Sequence, residues 1–198
     1  MSHYFTTPEG PEQRRPLQVT LWGHELGLQT AGGVFSANSL DLATQVLLRS
    51  HRPAPTSRRL LDLGCGWGPI ALALALELPD AVVDAVDVNE RAVALTRDNA
   101  RAAGVGGRVR ALLPDAVGRK VRYDEIWSNP PIRVGKEALH ELLLTWLPRL
   151  ADDGVARLVV GRHLGADTLQ RWLVEQGHPC QRTASAKGFR VLEVRPRV

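Results

Sequence analysis

The sequence predicts an α/β protein with a Rossmann-like, doubly wound sheet that is mostly parallel, ends in an antiparallel strand and follows a small N-terminal hairpin. Three observations predict this class. Short apolar runs alternate with amphipathic helical segments from residue 59 to residue 176. A glycine-rich segment joins the first of these runs to the helix after it. Two strand-like segments then close the chain with no helix between them, which makes the last strand antiparallel.

The first 35 residues are predicted to form an arm and a hairpin, and residues 36–198 the main domain. Residues 1–16 contain three prolines and no clear period. Apolar and polar residues alternate over 17–22 and return over 25–30, with Gly23 and His24 as the turn. A glycine-containing loop follows. Asn38 or Ser39 is expected to cap a helix, which the prolines at 53 and 55 end.

The main domain is then predicted element by element from its periodicity. Residues 139, 142, 143, 146 and 150 form the inward face of one helix. Asn89 is the expected cap of another helix, and Gly104 ends it. The predicted strands cover 59–63, 81–86, 109–113, 125–128, 155–160, 180–183 and 189–194, and the predicted helices cover 70–78, 90–103, 136–150 and 166–176.

Composition excludes several classes of protein. No apolar run approaches the ~18 residues of a transmembrane helix, and the first residues lack the pattern of a signal peptide, so a cytoplasmic protein is expected. Two cysteines and six histidines show no metal-ligand spacing, so no metal is expected. The net charge of +4 permits a nucleic-acid partner. However, 22 of the 25 basic residues are arginine, and a compositional bias of the genome explains this excess as well as a nucleic-acid partner does. A monomer or a homodimer is expected.

The glycine-rich segment places Asp62, Gly64, Gly66 and Gly68 at alternate positions. The dinucleotide fingerprint G-x-G-x-x-G requires its third glycine one residue later, where Pro69 stands. An alternative interpretation is a purely structural turn. The acid-x-Gly-x-Gly-x-Gly spacing instead resembles motif I of the class I S-adenosylmethionine-dependent methyltransferases. Their cofactor has a free ammonium, which suits a carboxylate such as Asp62.

Further polar residues follow the predicted strands, at the edge of the sheet where ligands of doubly wound folds bind. Asp87 lies one strand–helix–strand unit beyond the glycine loop, and its carboxylate is suited to accept both hydroxyls of a ribose. Asp115 is suited to accept an adenine amino group. The alternatives are that Asp87 is an exposed acid that caps the next helix and that Asp115 is a plain loop residue.

Asn129, Pro130 and Pro131 follow the fourth strand of the main domain. Two prolines leave two residues without an N–H, so nearby carbonyls remain free to accept. The Asn129 side-chain oxygen and the Pro130 carbonyl are together suited to accept both hydrogens of one amine. They would then orient its lone pair without a strong base, so that positioning carries the rate. A plain turn is the alternative interpretation.

This second motif resembles motif IV of the amino methyltransferases, and a wider set of segments resembles the methyltransferase small domain, which includes ribosomal RNA guanine-N2 methyltransferases. In many amino methyltransferases an aromatic residue follows the prolines and stacks on the target base. Here that position is Ile132, which leaves Phe35 and Phe189 as candidates. The matching segments are residues 33–36, 40–41, 62–66, 128–136 and 187–192.

The resemblance implies an S-adenosylmethionine-dependent N-methyltransferase that acts on a guanine amine in ribosomal RNA. Asn129 and Pro130 are its predicted catalytic residues. The predicted cofactor-binding residues are Asp62, Gly64, Cys65, Gly66, Asp87, Val88, Asp115 and Asn129. The predicted substrate-binding residues are Phe35, Ile132, Arg133, Lys136, Lys187, Phe189 and Arg190, of which the basic ones flank the Asn-Pro-Pro loop and the final turn.

Three alternatives stay open at this point. Asn-Pro-Pro would serve equally in an N-methyltransferase of a protein amide or another amine. A nicotinamide-dependent oxidoreductase is disfavoured by Gly68 and Pro69. A noncatalytic RNA-binding module is disfavoured by the intact motifs.

Overall fold

The computed structural model describes residues 13–36, 39–131 and 135–197. Its described part contains a two-stranded sheet and a seven-stranded sheet. The strands are β1 (Arg14–Leu21), β2 (His24–Ala31), β3 (Arg59–Leu63), β4 (Val82–Val86), β5 (Val109–Leu112), β6 (Tyr123–Ser128), β7 (Leu150–Gly161), β8 (Cys180–Ala186) and β9 (Phe189–Val194). The helices are α1 (Leu42–Ser50), α2 (Pro69–Glu77), α3 (Glu90–Ala102), α4 (Lys136–Trp146) and α5 (Ala166–Glu175).

The strand order of the large sheet is β5-β4-β3-β6-β7-β9-β8. The first five strands of this order are parallel, and β9 pairs antiparallel with both β7 and β8. The predicted fold class is therefore confirmed, including the antiparallel end. The order reverses between β3 and β6, and this is where doubly wound sheets bind their ligands.

Two apolar clusters cover the two faces of this sheet. One contains the buried residues of α1, α2 and α3 and reaches into the hairpin β1–β2. The other contains the buried faces of α4 and α5. Helix α2 is buried almost all round, because it lies between the sheet and its neighbours; six of its nine residues are alanine or leucine. The sheet is thus held from both sides, which fixes the positions of its strand ends.

The hairpin β1–β2 is attached to the main domain by side chains of α3. The Asn99 side chain accepts from the backbone N–H of Gln29 at 2.8 Å and donates to the Gln29 and Trp67 carbonyls at 2.8 and 2.9 Å. Farther along, the Asn89 amide donates to the Gly33 carbonyl at 2.9 Å. The segment after β2 is thereby held next to the glycine loop. The division of the chain at residues 35 and 36 stays a prediction.

Several strand bounds differ from the sequence prediction: β1 begins at Arg14, within the predicted arm, β7 begins at Leu150 rather than at 155, and β8 ends at Ala186 rather than at 183. Two helix ends also differ. Helix α1 is capped by Asp41, not by Ser39, and Asn38 lies outside the described residues. The helix predicted to reach Leu150 ends at Trp146, and Leu150 already begins β7. Pro148 explains the second difference, because it lacks the N–H that another helical turn requires. In the described part of the chain, no helix is long and apolar enough to span a membrane.

Candidate functional site

A cavity of about 270 Å³ opens at the carboxyl ends of β3, β4, β6 and β7. Its walls come from several separate segments of the chain. They include the glycine loop after β3, Asp87 after β4, the Asn-Pro-Pro loop after β6, and the turn after β7. Phe35 and Phe189 also line it. The structure therefore brings the two sequence motifs into one site.

The glycine loop passes close to the end of β4. The backbone N–H groups of Gly64 and Cys65 both donate to the Val86 carbonyl, at 2.8 and 3.0 Å. Gly64 has a φ of 79°, and no atom of the described residues lies within 4 Å of where a Cβ would stand, so they leave the loop open on that side. At Gly68, a Cβ would lie 2.9 Å from the Thr96 side chain. The loop therefore needs glycine both for its backbone conformation and for close packing.

The Asp62 carboxyl lies fully buried beneath this loop. Its Oδ2 accepts from the backbone N–H of Ala71 at 2.9 Å, in the first turn of α2. Its Oδ1 is buried and has no hydrogen-bond partner among the residues that the structure describes. Burial raises the pKa of Asp62 to about 8, and the nearby Asp87 carboxylate adds to this. Asp62 is not part of the cavity wall, so its predicted contact with an ammonium stays a prediction.

Asp87 joins the end of β4 to the glycine loop. Its Oδ1 accepts from the Asn89 N–H and its Oδ2 from the Gly66 N–H, both at 2.9 Å. Each oxygen keeps further capacity to accept, because a carboxylate offers about four lone-pair sites. Burial raises the pKa of Asp87, and the backbone donors oppose this rise. Asp87 lines the cavity, where it is placed to accept hydroxyl hydrogens.

Only some of the other predicted cofactor-binding residues line the cavity. Gly64, Gly66 and Val88 line the cavity. The Cys65 side chain turns away toward Thr96 Oγ1, 3.5 Å from the sulfur, and lies outside this cavity because the loop directs it into the core. Asp115 is exposed and does not line the cavity; the adjacent Pro114 does. The structure therefore gives no support to the side chains of Cys65 and Asp115 as cofactor contacts.

Asn129 has a fixed side-chain orientation. Its Nδ2 donates to Asp41 Oδ2 at 2.8 Å and to Thr44 Oγ1 at 3.1 Å. Among the residues that the structure describes, no group donates to its Oδ1 or to the Pro130 carbonyl. Asn129 and Pro130 both line the cavity. Two acceptors on neighbouring residues are thus available to a ligand there.

Sequence reasoning gave no site role to the two residues that contact the Asn129 amide, although Asp41 lies in one of the segments that resemble the methyltransferase small domain. Asp41 and Thr44 lie at the start of α1, 88 and 85 positions away from Asn129 in the chain. An aspartate before an apolar helical pattern is a recognisable cap. Nothing in the local pattern connects that cap to a loop at the far end of another strand. Leu164, 55% exposed at the cavity, was also missed, and no sequence signal distinguishes it.

The predicted substrate-binding residues also differ in whether they are accessible to a substrate. Phe35, 46% exposed, and Phe189 line the cavity. Lys136 and Lys187 are exposed. Arg190 instead forms an ion pair with Asp167 and is mostly buried, so it does not present a free cation to a substrate. Ile132 and Arg133 lie outside the described residues.

A doubly wound sheet with this glycine loop, a strand-end carboxylate at Asp87 and an Asn-Pro-Pro loop at one cavity is typical of a class I S-adenosylmethionine-dependent methyltransferase. The comparisons with known proteins agree. The model of the methyltransferase small domain family matches residues 25–193, and the chain belongs to that family. The oxidoreductase alternative is thereby removed.

Individual relatives differ in how much of their length they share with this chain. An uncharacterised protein of Bacillus subtilis, YbxB, is 28% identical over 197 residues, which is 98% of either chain. Ribosomal RNA small subunit methyltransferase C of Citrobacter koseri is 35% identical over 153 residues, 72% of this chain but 44% of the relative. The chain therefore spans less than half of the methyltransferase C relative.

One solved structure resembles the whole described fold. It is the 16S rRNA N2 G1207 methyltransferase of T. thermophilus, in complex with AdoMet and guanosine. It has a TM-score of 0.81 and 27% identity, and the match covers 96% of this chain and 52% of that one.

The site fits S-adenosylmethionine, the cofactor of this family. The unpartnered Oδ1 of Asp62 lies under the glycine loop and suits a cationic ammonium. Asp87 suits the ribose hydroxyls, and the apolar side chains of Val86, Val88 and Pro114 suit the adenine ring. When bound, the cofactor supplies an electrophilic methyl group.

Proposed function

We propose that the chain methylates the exocyclic N2 amine of a guanine in ribosomal RNA. One observation carries this proposal: Asn129 and Pro130 line the cavity, and no group of the described residues donates to the Asn129 Oδ1 or to the Pro130 carbonyl. A guanine amine has two N–H donors, so it can satisfy both acceptors at once. The names of the methyltransferase C relatives and of the T. thermophilus structure support the same substrate.

The chain contributes mainly by positioning the amine. Two acceptors on one NH₂ group hold the nitrogen and direct its lone pair away from both of them. They stabilise the positive charge that develops on the nitrogen, most strongly in the transition state. The proton becomes acidic at that stage, so no strong base is needed beside Asn129.

The surroundings of these acceptors suit a nucleobase on an RNA strand. Phe35 and Phe189 supply aromatic surface at the cavity, and aromatic side chains stack on unpaired bases. Lys136 and Lys187 are exposed on the segments that follow the Asn-Pro-Pro loop and β8. They are the proposed phosphate contacts.

The test is methyl transfer to ribosomal RNA purified from cells that lack the gene. The purified protein is incubated with this RNA and labelled S-adenosylmethionine, and the RNA is digested to nucleosides. Mass spectrometry should then find label in N2-methylguanosine, at a single position when fragments are mapped. An Asn129→Ala protein, whose rate of methyl transfer should be much lower, serves as the control.

Two results would overturn the proposal. Label in another nucleoside would refute the guanine amine as the target. Label in a ribosomal protein, with none in the RNA, would favour the amide or amine alternative. To separate these results, the same reaction is run on intact subunits, and RNA and protein are counted separately.

A further inference from the structure

We infer that Asp41 is a positioning residue that sets the orientation of the Asn129 amide for methyl transfer. The inference rests on the proposed function, because it takes Asn129 to hold the target amine. Asp41 lies at the cavity wall beside Asn129 and is the N-cap of α1. It therefore belongs to the site and to a helix that packs into the core.

One oxygen of Asp41 both caps helix α1 and accepts from the Asn129 amide. Oδ2 accepts from the backbone N–H groups of Ala43 and Thr44, at 2.8 and 3.1 Å, and from Asn129 Nδ2 at 2.8 Å. An ionised carboxylate can accept hydrogen bonds but has no proton to donate. An Asn129 amide turned the other way would place its oxygen 2.8 Å from this carboxylate oxygen, which is repulsive. Asp41 thus selects the orientation in which Oδ1 is left for the substrate.

Thr44 strengthens this selection and ties it to the core. Its Oγ1 is a second acceptor for Asn129 Nδ2, at 3.1 Å, while its backbone N–H is one of the groups that Asp41 caps. Val46 and Leu47 of the same helix are buried in the cluster on this face of the sheet. The orienting groups are therefore held by packing, as a preorganised site requires.

A purely structural role for Asp41, as a helix cap, makes a different prediction. A cap contributes to stability, and several residue types replace it at little cost. Serine caps as well as aspartate, but its hydroxyl lies nearer to its own backbone and does not reach Asn129. Asparagine also caps, and it keeps an oxygen at the position of Oδ2. Asp41→Ser and Asp41→Asn therefore separate the cap from the orienting contact.

The experiment measures single-turnover methyl transfer by these two variants, with S-adenosylmethionine saturating and ribosomal RNA from cells lacking the gene as substrate. Asp41→Ser should lower the rate about 10-fold or more, the scale of one charge-assisted hydrogen bond, with its cofactor affinity and melting temperature near those of the wild type. Asp41→Asn should recover most of that rate, to within about 3-fold of the wild type.

Asp124→Ser is the matched control. Asp124 Oδ2 also accepts from two backbone N–H groups, those of Arg58 and Arg59, at 2.7 and 2.9 Å, but at the opposite edge of the sheet. It should lower the melting temperature and leave the single-turnover rate unchanged. An equal loss of rate in this variant would mean that general destabilisation accounts for the effect at Asp41, and would overturn the inference.

A second readout needs no substrate. In ¹⁵N-edited NMR spectra, the side-chain amide signals of Asn129 are identified by their disappearance in Asn129→Ala. Asp41→Ser should shift them upfield and speed their exchange with water, because the amide no longer donates to a carboxylate. Unchanged Asn129 signals in Asp41→Ser would overturn the inference whatever the substrate is.

A double variant distinguishes failure of the inference from failure of the proposed function. If Asp41 acts through Asn129, Asp41→Ser should cost no further rate in the Asn129→Ala background. An additive decrease would mean that Asp41 acts by another route, which refutes the inference. Full activity of Asn129→Ala would instead refute the role of Asn129 in the proposed function.

Discussion

Two fully buried carboxylates of neighbouring strands, Glu125 in β6 and Asp62 in β3, have opposite surroundings. Glu125 Oε1 accepts from the Ala54 N–H and from Ser57 Oγ, at 2.6 and 2.7 Å. Its Oε2 accepts from the indole N–H of Trp127 at 2.8 Å and pairs with Arg157.

Within the described part of the chain, Asp62 has one hydrogen-bond donor, the N–H of Ala71, and its other buried oxygen has none. The comparison indicates that groups that stabilise the fold and groups suited to bind a ligand lie at opposite ends of the strands. At the amino ends of the strands the buried acid is paired by the protein itself. At the carboxyl ends, Asn129 lines the cavity with an acceptor, and Asp62 has a buried oxygen for which the described residues supply no donor. Burial without a partner is costly, so it is expected where a ligand completes the pairing.

Removal of Glu125 tests the paired side of the comparison and should have the largest effect. Glu125→Ala removes the near carboxylate of the Arg157 guanidinium, which is 12% exposed, and leaves it the longer contact with Glu193 at 3.9 Å. Removing one partner from a buried ion pair costs about 3–5 kcal/mol of unfolding free energy. Urea denaturation measures this value, and Glu125→Gln should be less destabilising. A decrease in unfolding free energy of under about 1 kcal/mol would mean that Glu125 contributes no more than a surface ion pair, and would contradict the comparison.

Removal of the Asn129 amide tests the other side. Asn129→Ala should lower the single-turnover rate about 100-fold, or roughly 2.7 kcal/mol of transition-state stabilisation, because it removes an acceptor that matters most in the transition state. Its melting temperature should change little. Asn129→Asp keeps an acceptor oxygen and should retain partial activity. A normal rate in Asn129→Ala, measured at saturating cofactor, would remove Asn129 from the catalytic residues.

The cost of the unpartnered Asp62 can be measured from the pH dependence of stability. Its pKa in the folded protein is about 8, above the value in the unfolded chain, so the folded state holds a proton that the unfolded state has released. This group therefore makes the wild type less stable as pH rises from about 4 to about 8. Asp62→Asn removes this dependence.

The stability advantage of Asp62→Asn should thus widen between about pH 6 and about pH 7, by at most about 1.4 kcal/mol, the limit for one proton. Urea denaturation of the cofactor-free protein at both pH values measures it. A difference that is constant with pH would mean that Asp62 is ionised in the folded protein. S-adenosylmethionine at saturation should reduce the difference if the ammonium pairs with Asp62.

The smallest effect is expected at the exposed rim. Lys136→Gln together with Lys187→Gln should flatten the dependence of RNA affinity on salt, by about 0.7 in the logarithmic slope for each phosphate that is no longer neutralised. Filter binding over a salt series measures this slope. Arg119→Gln with Arg122→Gln removes two exposed charges before β6 and serves as the control. An equal change in both double variants would show a nonspecific charge effect.

Most of the fold is predictable from the sequence, because its elements have clear periods. The apolar runs of β3 and β4 and the capped pattern of α3 end within about two residues of their predicted bounds. The predicted end of α4 was wrong because the apolar period continues through Leu150 while Pro148 ends the helix. The spacing of apolar residues predicts which side chains are buried, but it does not show where the helical backbone ends.

The sequence by itself determined the class of this protein, its cofactor and the two motifs that meet at the cavity. It did so because the two loops need backbone conformations that few residue types adopt, and because their residues resemble motifs I and IV of known methyltransferases. Only the tertiary structure decided which side chains complete the site. The Asp41–Asn129 contact joins positions 88 residues apart, and the Arg190–Asp167 pair removes a predicted cation. Such contacts depend on how helices pack across the sheet, which local patterns do not encode.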